Sequence, residues 1–142
     1  MEKKCTNLPY LELLKTSKAV QDRMKMELTK ENLSITEFSV LEVLYFKGKQ
    51  TIQQVGKKVL ISSGSMTYVI DKLEKRGLLK RIACPSDRRA IHVVLTDAGN
   101  TLMDEILPKH KMLIDTIFDS LQDEEIEFFV QLLKKVRMRV KN

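Results

Sequence analysis

The chain has 142 residues, 43% of them hydrophobic and 31% charged, with 25 Lys and Arg against 19 Asp and Glu and a net charge of +6. That balance fits one small globular domain, or two lobes sharing a core, and excludes wholesale disorder. No apolar run approaches the about 20 residues that span a bilayer, and the start, MEKKCTNLPYLELL, lacks the apolar stretch and cleavage site of a secretion signal. With only Cys5 and Cys84, a reducing cytoplasm is a better reading than a disulfide scaffold.

From Leu8 to about Lys30, apolar residues at three- and four-residue spacings predict a helix. The stretch LSITEFSVLEVLYFKGKQ predicts a second, with Thr36 as N-cap, Ile35 and Val40 as a hydrophobic staple, and Gly48 closing it in the left-handed helical region. Phe38, Leu41, Leu44 and Tyr45 form its inward face. Thr51 caps a short third helix with Ile52, Val55 and Val59 on one side.

A fourth helix is expected from SSGSMTYVIDKLEKRG, capped by Ser62 or Ser63 and stopped by Gly77. Met66, Ile70 and Leu73 make its apolar stripe, and Ser65, Thr67, Tyr68, Asp71, Lys72 and Lys75 its outer surface. The period then changes to that of strands, Leu79 to Ala83 and Ala90 to Leu95, around a charged loop from Cys84 to Arg89 that contains Pro85. Thr96 caps a fifth helix, which Pro108 should kink. Asp123 caps a sixth, acidic at its start and basic at its end as the helix dipole favours.

The predicted fold is mainly α with a small β-hairpin wing: a six-helix winged helix-turn-helix whose N- and C-terminal helices form a dimerisation region. Three regions are expected: an N-terminal arm and first dimerisation helix over 1–34, a DNA-binding lobe over 35–96, and C-terminal dimerisation helices over 97–142. The charge is unevenly spread. Between Lys57 and Arg89 nine basic residues face three acidic ones, a balance of +6, whereas the remainder carries 16 of each sign. A basic segment on a balanced chain implies a polyanionic partner by counterion release, or else a plain solvated lysine-rich surface.

DNA suits the arrangement. A helix with short polar residues in its first turn, here Ser62, Ser63, Ser65 and Thr67, with Tyr68 beside them on its outer face, fits the major groove. A hairpin tip carrying Arg88 and Arg89 can reach a neighbouring minor groove, and Lys57, Lys58, Lys72, Lys75 and Lys80 would meet phosphates. A protein-binding adaptor with an acidic partner is the alternative. Enzymatic activity is not expected: there is no phosphate-cradling glycine loop and no nucleophile–base pair, and Asp104 and Glu105 are adjacent and so face apart on a helix. No cofactor or metal is implied, since His92 and His110 are not at zinc-ligand spacing from the cysteines.

Over nearly its whole length the sequence resembles the MarR family of bacterial transcription regulators. The residues that carry the likeness are ITEFSVLEVL, SSGSMTYVIDKLEKRGLLKR, and DRRAIHVVLTDAG with its Asp-x-Arg and Leu-Thr. The resemblance implies a homodimer on a pseudo-palindromic operator, with Arg89 in the minor groove, Asp87 holding it, and Arg88 on phosphate. Apolar residues at both ends of the chain (Leu8, Leu11 and Leu14; Ile126, Phe129, Val130, Leu133, Val136 and Val140) suit such a dimer. The resemblance also implies a small aromatic or phenolic effector, with His110 as a candidate pocket residue or else a plain helix-surface histidine, and Tyr10, Met24 and Phe46 as pocket lining or plain core. ITEFSVLEVLY, the following IQ and PKH are similar to a catechol- and quinone-responsive subgroup of Firmicutes. Cys84 is a candidate sensor, because Arg81, Arg88 and Arg89 nearby favour a thiolate; its plain alternative is a small residue opening a turn. Cys5 is the other candidate, although the family's peroxide-sensing position falls on Glu12, so that mechanism does not carry over.

Overall fold

The computed structural model describes residues 7–60, 65–84 and 86–141, with the backbone alone at Asp87, Arg88 and Arg89. It has helices α1 (Leu8–Thr29), α2 (Ile35–Lys47), α3 (Ile52–Lys58), α4 (Met66–Lys75), α5 (Asp97–Ile117) and α6 (Asp123–Val140). Strands β1 (Gln50–Thr51), β2 (Leu79–Cys84) and β3 (Asp87–Leu95) form one antiparallel sheet in the order β1-β3-β2. Two compact units divide between Glu105 and Ile106. The first holds the winged helix-turn-helix.

Two helices of this unit stop by the same device. At the end of α1 the Leu33 N–H donates to Leu28 O and the Asn32 N–H to Thr29 O, both at 3.0 Å, with Asn32 at φ +56°. At the end of α4 the Leu78 N–H donates to Leu73 O at 3.1 Å and the Gly77 N–H to Glu74 O at 2.9 Å, with Gly77 at φ +75°. Both are Schellman caps, and each brings together two buried leucines: 28 with 33, and 73 with 78.

The start of α2 differs from the sequence expectation. Ser34, not Thr36, is the N-cap. The Glu37 N–H donates to Ser34 Oγ at 3.0 Å and the Ser34 N–H donates to Glu37 Oε1 at 2.9 Å, a reciprocal pair that Thr36, with Ser39 three residues on, cannot build. Thr36 is instead buried in the first turn, and Ile35 lies inside the helix, so the proposed staple is absent. Gly48 does close α2, at φ 72° but ψ −150°, outside the left-handed helical well. Thr51 caps α3 through the same reciprocal pattern with Gln54 while also pairing with His92 as part of β1, a strand too short to show in the sequence.

The N-cap position of α4 is Ser65, which places the helix start later than a cap at Ser62 or Ser63; those two residues lie outside the described ones. The wing strands are longer than the sequence suggests. β2 runs on to Cys84 and β3 begins at Asp87, so most of the expected loop is strand. The register slips between Ala83, opposite Ile91, and Cys84, opposite Asp87, leaving residues 88–90 in excess on β3. Polar residues need no alternating pattern where a hairpin projects from the core, so these strand ends carry no periodic signal.

The core of this unit is Val40, Leu41, Val55, Ile70, Leu73, Leu79, Val93 and Met103, all essentially inaccessible. In the second unit α5 continues through Pro108 to Ile117. The N-cap of α6 is Gln122 in place of Asp123, because Glu125 accepts the Gln122 N–H at 3.0 Å and Asp123 becomes the first helical residue. Among the described residues no helix is long and apolar enough to cross a membrane.

Candidate nucleic-acid interface

The hydrophobic stripe of α4 sets which of its side chains face outward. Val69, Ile70 and Leu73 are buried, while Ser65, Thr67, Tyr68, Lys72 and Lys75 are exposed, Tyr68 at 66%. Met66, expected in the stripe, is half-buried. Lys57 and Lys58 are exposed at the end of α3, where Lys58 Nζ donates to Gln50 Oε1, and Lys80 is exposed on β2. The described lysines of the basic segment therefore remain available to a polyanion.

Two arginines of that segment also make contacts within the lobe. Arg76 Nη1 donates to the carbonyl of Asn32 at 2.7 Å and lies 3.9 Å from the buried carboxylate of Glu37. Glu37 also lies 3.9 Å from Lys72 Nζ. The Schellman cap of α1 thus turns a carbonyl toward the end of α4, and Arg76 takes it. Arg81, on β2, is engaged more fully. Its Nη1 donates to Glu74 Oε1 at 2.6 Å, its Nη2 to Asp71 Oδ1, and its backbone N–H to Glu74 Oε2 at 3.1 Å. The hydrogen bond to Asp71, with that to Glu74, raises the Arg81 guanidinium above its ordinary pKa against the opposing effect of burial. Neither role is visible from charge counting. The signals were the Ser-x-x-Glu at 34–37 and two carboxylates three residues apart on α4, close before an arginine.

At the wing, Cys84 is half-buried with its Sγ 3.2 Å from Ser86 Oγ. Arg81, expected beside Cys84, directs its guanidinium to Asp71 and Glu74. Of Asp87, Arg88 and Arg89 the structure fixes only that they open β3, directly after the turn. Cys5 lies outside the described residues. Among the candidate pocket residues Tyr10 and Phe46 are exposed, at 59% and 64%, and Met24 is half-buried. Phe46 meets Tyr45 edge-to-face, with ring centroids 5.2 Å apart. His110, half-buried, belongs to the second unit. Among the described residues no cluster of His, Cys, Asp or Glu could hold a metal ion.

A short three-helix lobe whose last helix has an exposed polar and basic outer face and is followed by a two-stranded projection defines a winged helix-turn-helix protein. Residues 33–91 match the MarR family profile. The chain is 42% identical over 132 residues to the HTH-type transcriptional regulator MhqR of Bacillus subtilis (strain 168), covering 93% of this chain and 91% of that one. It belongs to the MarR family of DNA-binding transcriptional regulators, which are not enzymes. Among solved structures, Streptomyces coelicolor Sco3205 in complex with DNA superposes with a TM-score of 0.87 at 19% identity, over 100% of this chain and 93% of that one. Bordetella bronchiseptica BpsR, whose DNA binding is regulated by 6-hydroxynicotinic acid, superposes at 0.82 with 25% identity, over 96% and 98%.

Proposed function

We propose that the chain is a homodimeric, cytoplasmic repressor, each protomer reading half of a pseudo-palindromic operator. In this reading α4 enters the major groove with Ser62, Ser63, Ser65, Thr67 and Tyr68 toward base edges, and the wing places Arg89 in the minor groove beside Asp87 and Arg88. Lys57, Lys58, Lys72, Lys75 and Lys80 meet phosphates. The observation that carries it is the exposed polar face of α4 on a helix whose other face is core, followed directly by the wing. A small aromatic effector of the phenolic or quinone class releases the DNA, either by reversible binding, for which Tyr10, Met24, Phe46 and His110 are the candidate residues, or by modifying Cys84 or Cys5. The likeness to BpsR supports an aromatic effector.

The test is a duplex selected by the wild-type chain from a random-sequence library. Arg89→Ala should weaken binding to it strongly while leaving the helical content unchanged, and Lys72→Ala should lower the salt slope by about one unit. Unchanged affinity of the Arg89 variant at moderate salt removes the wing from the interface.

A further inference from the structure

We infer that Arg81 is a positioning residue for DNA recognition: it sets the angle between the recognition helix and the wing, and does not itself contact the duplex. The inference rests on the reading above, in which α4 and the wing enter different grooves. Arg81 sits in β2 opposite Val93, which is fully buried, so its backbone is anchored in the core. From there it makes three hydrogen bonds, and all of them end on two carboxylates one turn apart on α4. Its side chain is 24% exposed, less than Asp71 at 48% or Glu74 at 39%. The two elements that would touch DNA are thus joined through one planar guanidinium, whose fork matches two acceptors in a way an ammonium cannot.

Leverage makes the joint matter. Cys84 lies three residues beyond Arg81, about 10 Å at roughly 3.3 Å per strand residue. A rotation of about 10° at Arg81 would displace the wing tip by about 2 Å, a large share of a minor groove about 6 Å wide. An arginine in a basic segment is ordinarily assigned to phosphate. Here its charge is already met by Asp71 and Glu74.

The charge-conserving Arg81→Lys separates the two roles, measured against the library-selected duplex and a scrambled duplex of the same length. As a positioning residue, Arg81→Lys lowers affinity for the selected duplex roughly two- to thirtyfold, the range of couplings carried by such networks. The salt slope and the affinity for the scrambled duplex stay unchanged. Minor-groove protection from hydroxyl radicals falls while major-groove protection from methylation persists. Asp71→Asn, a milder change on the helix side, should reproduce this pattern, and combining the two should add little. Unchanged affinity for the selected duplex, a slope reduced by about one unit in Arg81→Met but not in Arg81→Lys, or loss of both protections in step each overturns the inference. If the wild-type chain selects no sequence, the underlying reading fails and the inference with it.

Discussion

Gly99 shows how a single residue can be decided by the backbone of another element. Thr96 Oγ1 accepts the Gly99 N–H at 3.1 Å and donates to Gly77 O at 2.6 Å, and the Thr96 N–H donates to Leu78 O at 3.1 Å. One threonine therefore caps α5 and ties it to the chain reversal after α4. The same Leu78 carbonyl lies 2.0 Å from where a Cβ on Gly99 would stand. In a helix, alanine is ordinarily better than glycine by about 1 kcal/mol; here the clash reverses the sign. Gly99→Ala should destabilise by about 1–3 kcal/mol, and Thr96→Ala by about 1–2 kcal/mol through the lost cap. Urea unfolding midpoints check both, and an unchanged or raised midpoint for Gly99→Ala rejects the close approach. Thr96 was legible in the sequence because capping is local. The constraint on Gly99 was not, because it comes from a carbonyl about twenty residues away. The internal duty of Arg76 was hidden for the same reason, since the Asn32 carbonyl it meets is 44 residues away.

Among elements, the first half of α5 is also fixed to α2. Tyr45 Oη donates to Asp104 Oδ1 at 2.6 Å, a contact between residues 59 apart in sequence. That hydrogen bond, followed by the charge of Asp104, raises the Tyr45 phenol above its ordinary pKa. The folded state then holds this proton more tightly than the unfolded chain does. Its contribution to stability is complete below the ordinary tyrosine value of about 10 and is lost as pH rises through the higher folded value. An ultraviolet titration should show one phenol ionising late, and this should vanish in Tyr45→Phe and return toward the ordinary value in Asp104→Asn. An Asp104→Asn titration identical to wild type would mean the contact is not made in solution. Helix positions and the polar face of α4 were readable from periodicity, since each rests on its own segment. The extent of the wing strands was not, because Cys84 and Asp87 pair across a turn with no alternating pattern to announce it.

At the scale of the whole molecule the basic excess sits on the winged lobe, and apolar surface remains on helices that have no visible need of it. None of the described residues of α6 is buried, although Phe128, Phe129, Val136 and Val140 are exposed at 61%, 37%, 48% and 77%. On α1 the only buried residue is Leu28, while Leu8 and Leu14 stand 52% and 49% exposed. An 18-residue helix this apolar gains little stability alone, since most helical stability in proteins comes from packing. Exposed apolar patches of this extent mark interaction surfaces, and a second copy of the chain is the occupant that suits a two-fold operator. The chain should therefore sediment at twice its 16.4 kDa mass. Val136→Glu combined with Val140→Glu should cost a monomer little, because both sites are exposed, yet should dissociate the dimer at micromolar concentration while circular dichroism stays helical. Operator affinity should fall with it, because two half-sites bound by linked protomers gain from effective concentration what separate protomers lack. A double variant that still sediments as a dimer would remove the end of α6 from the interface.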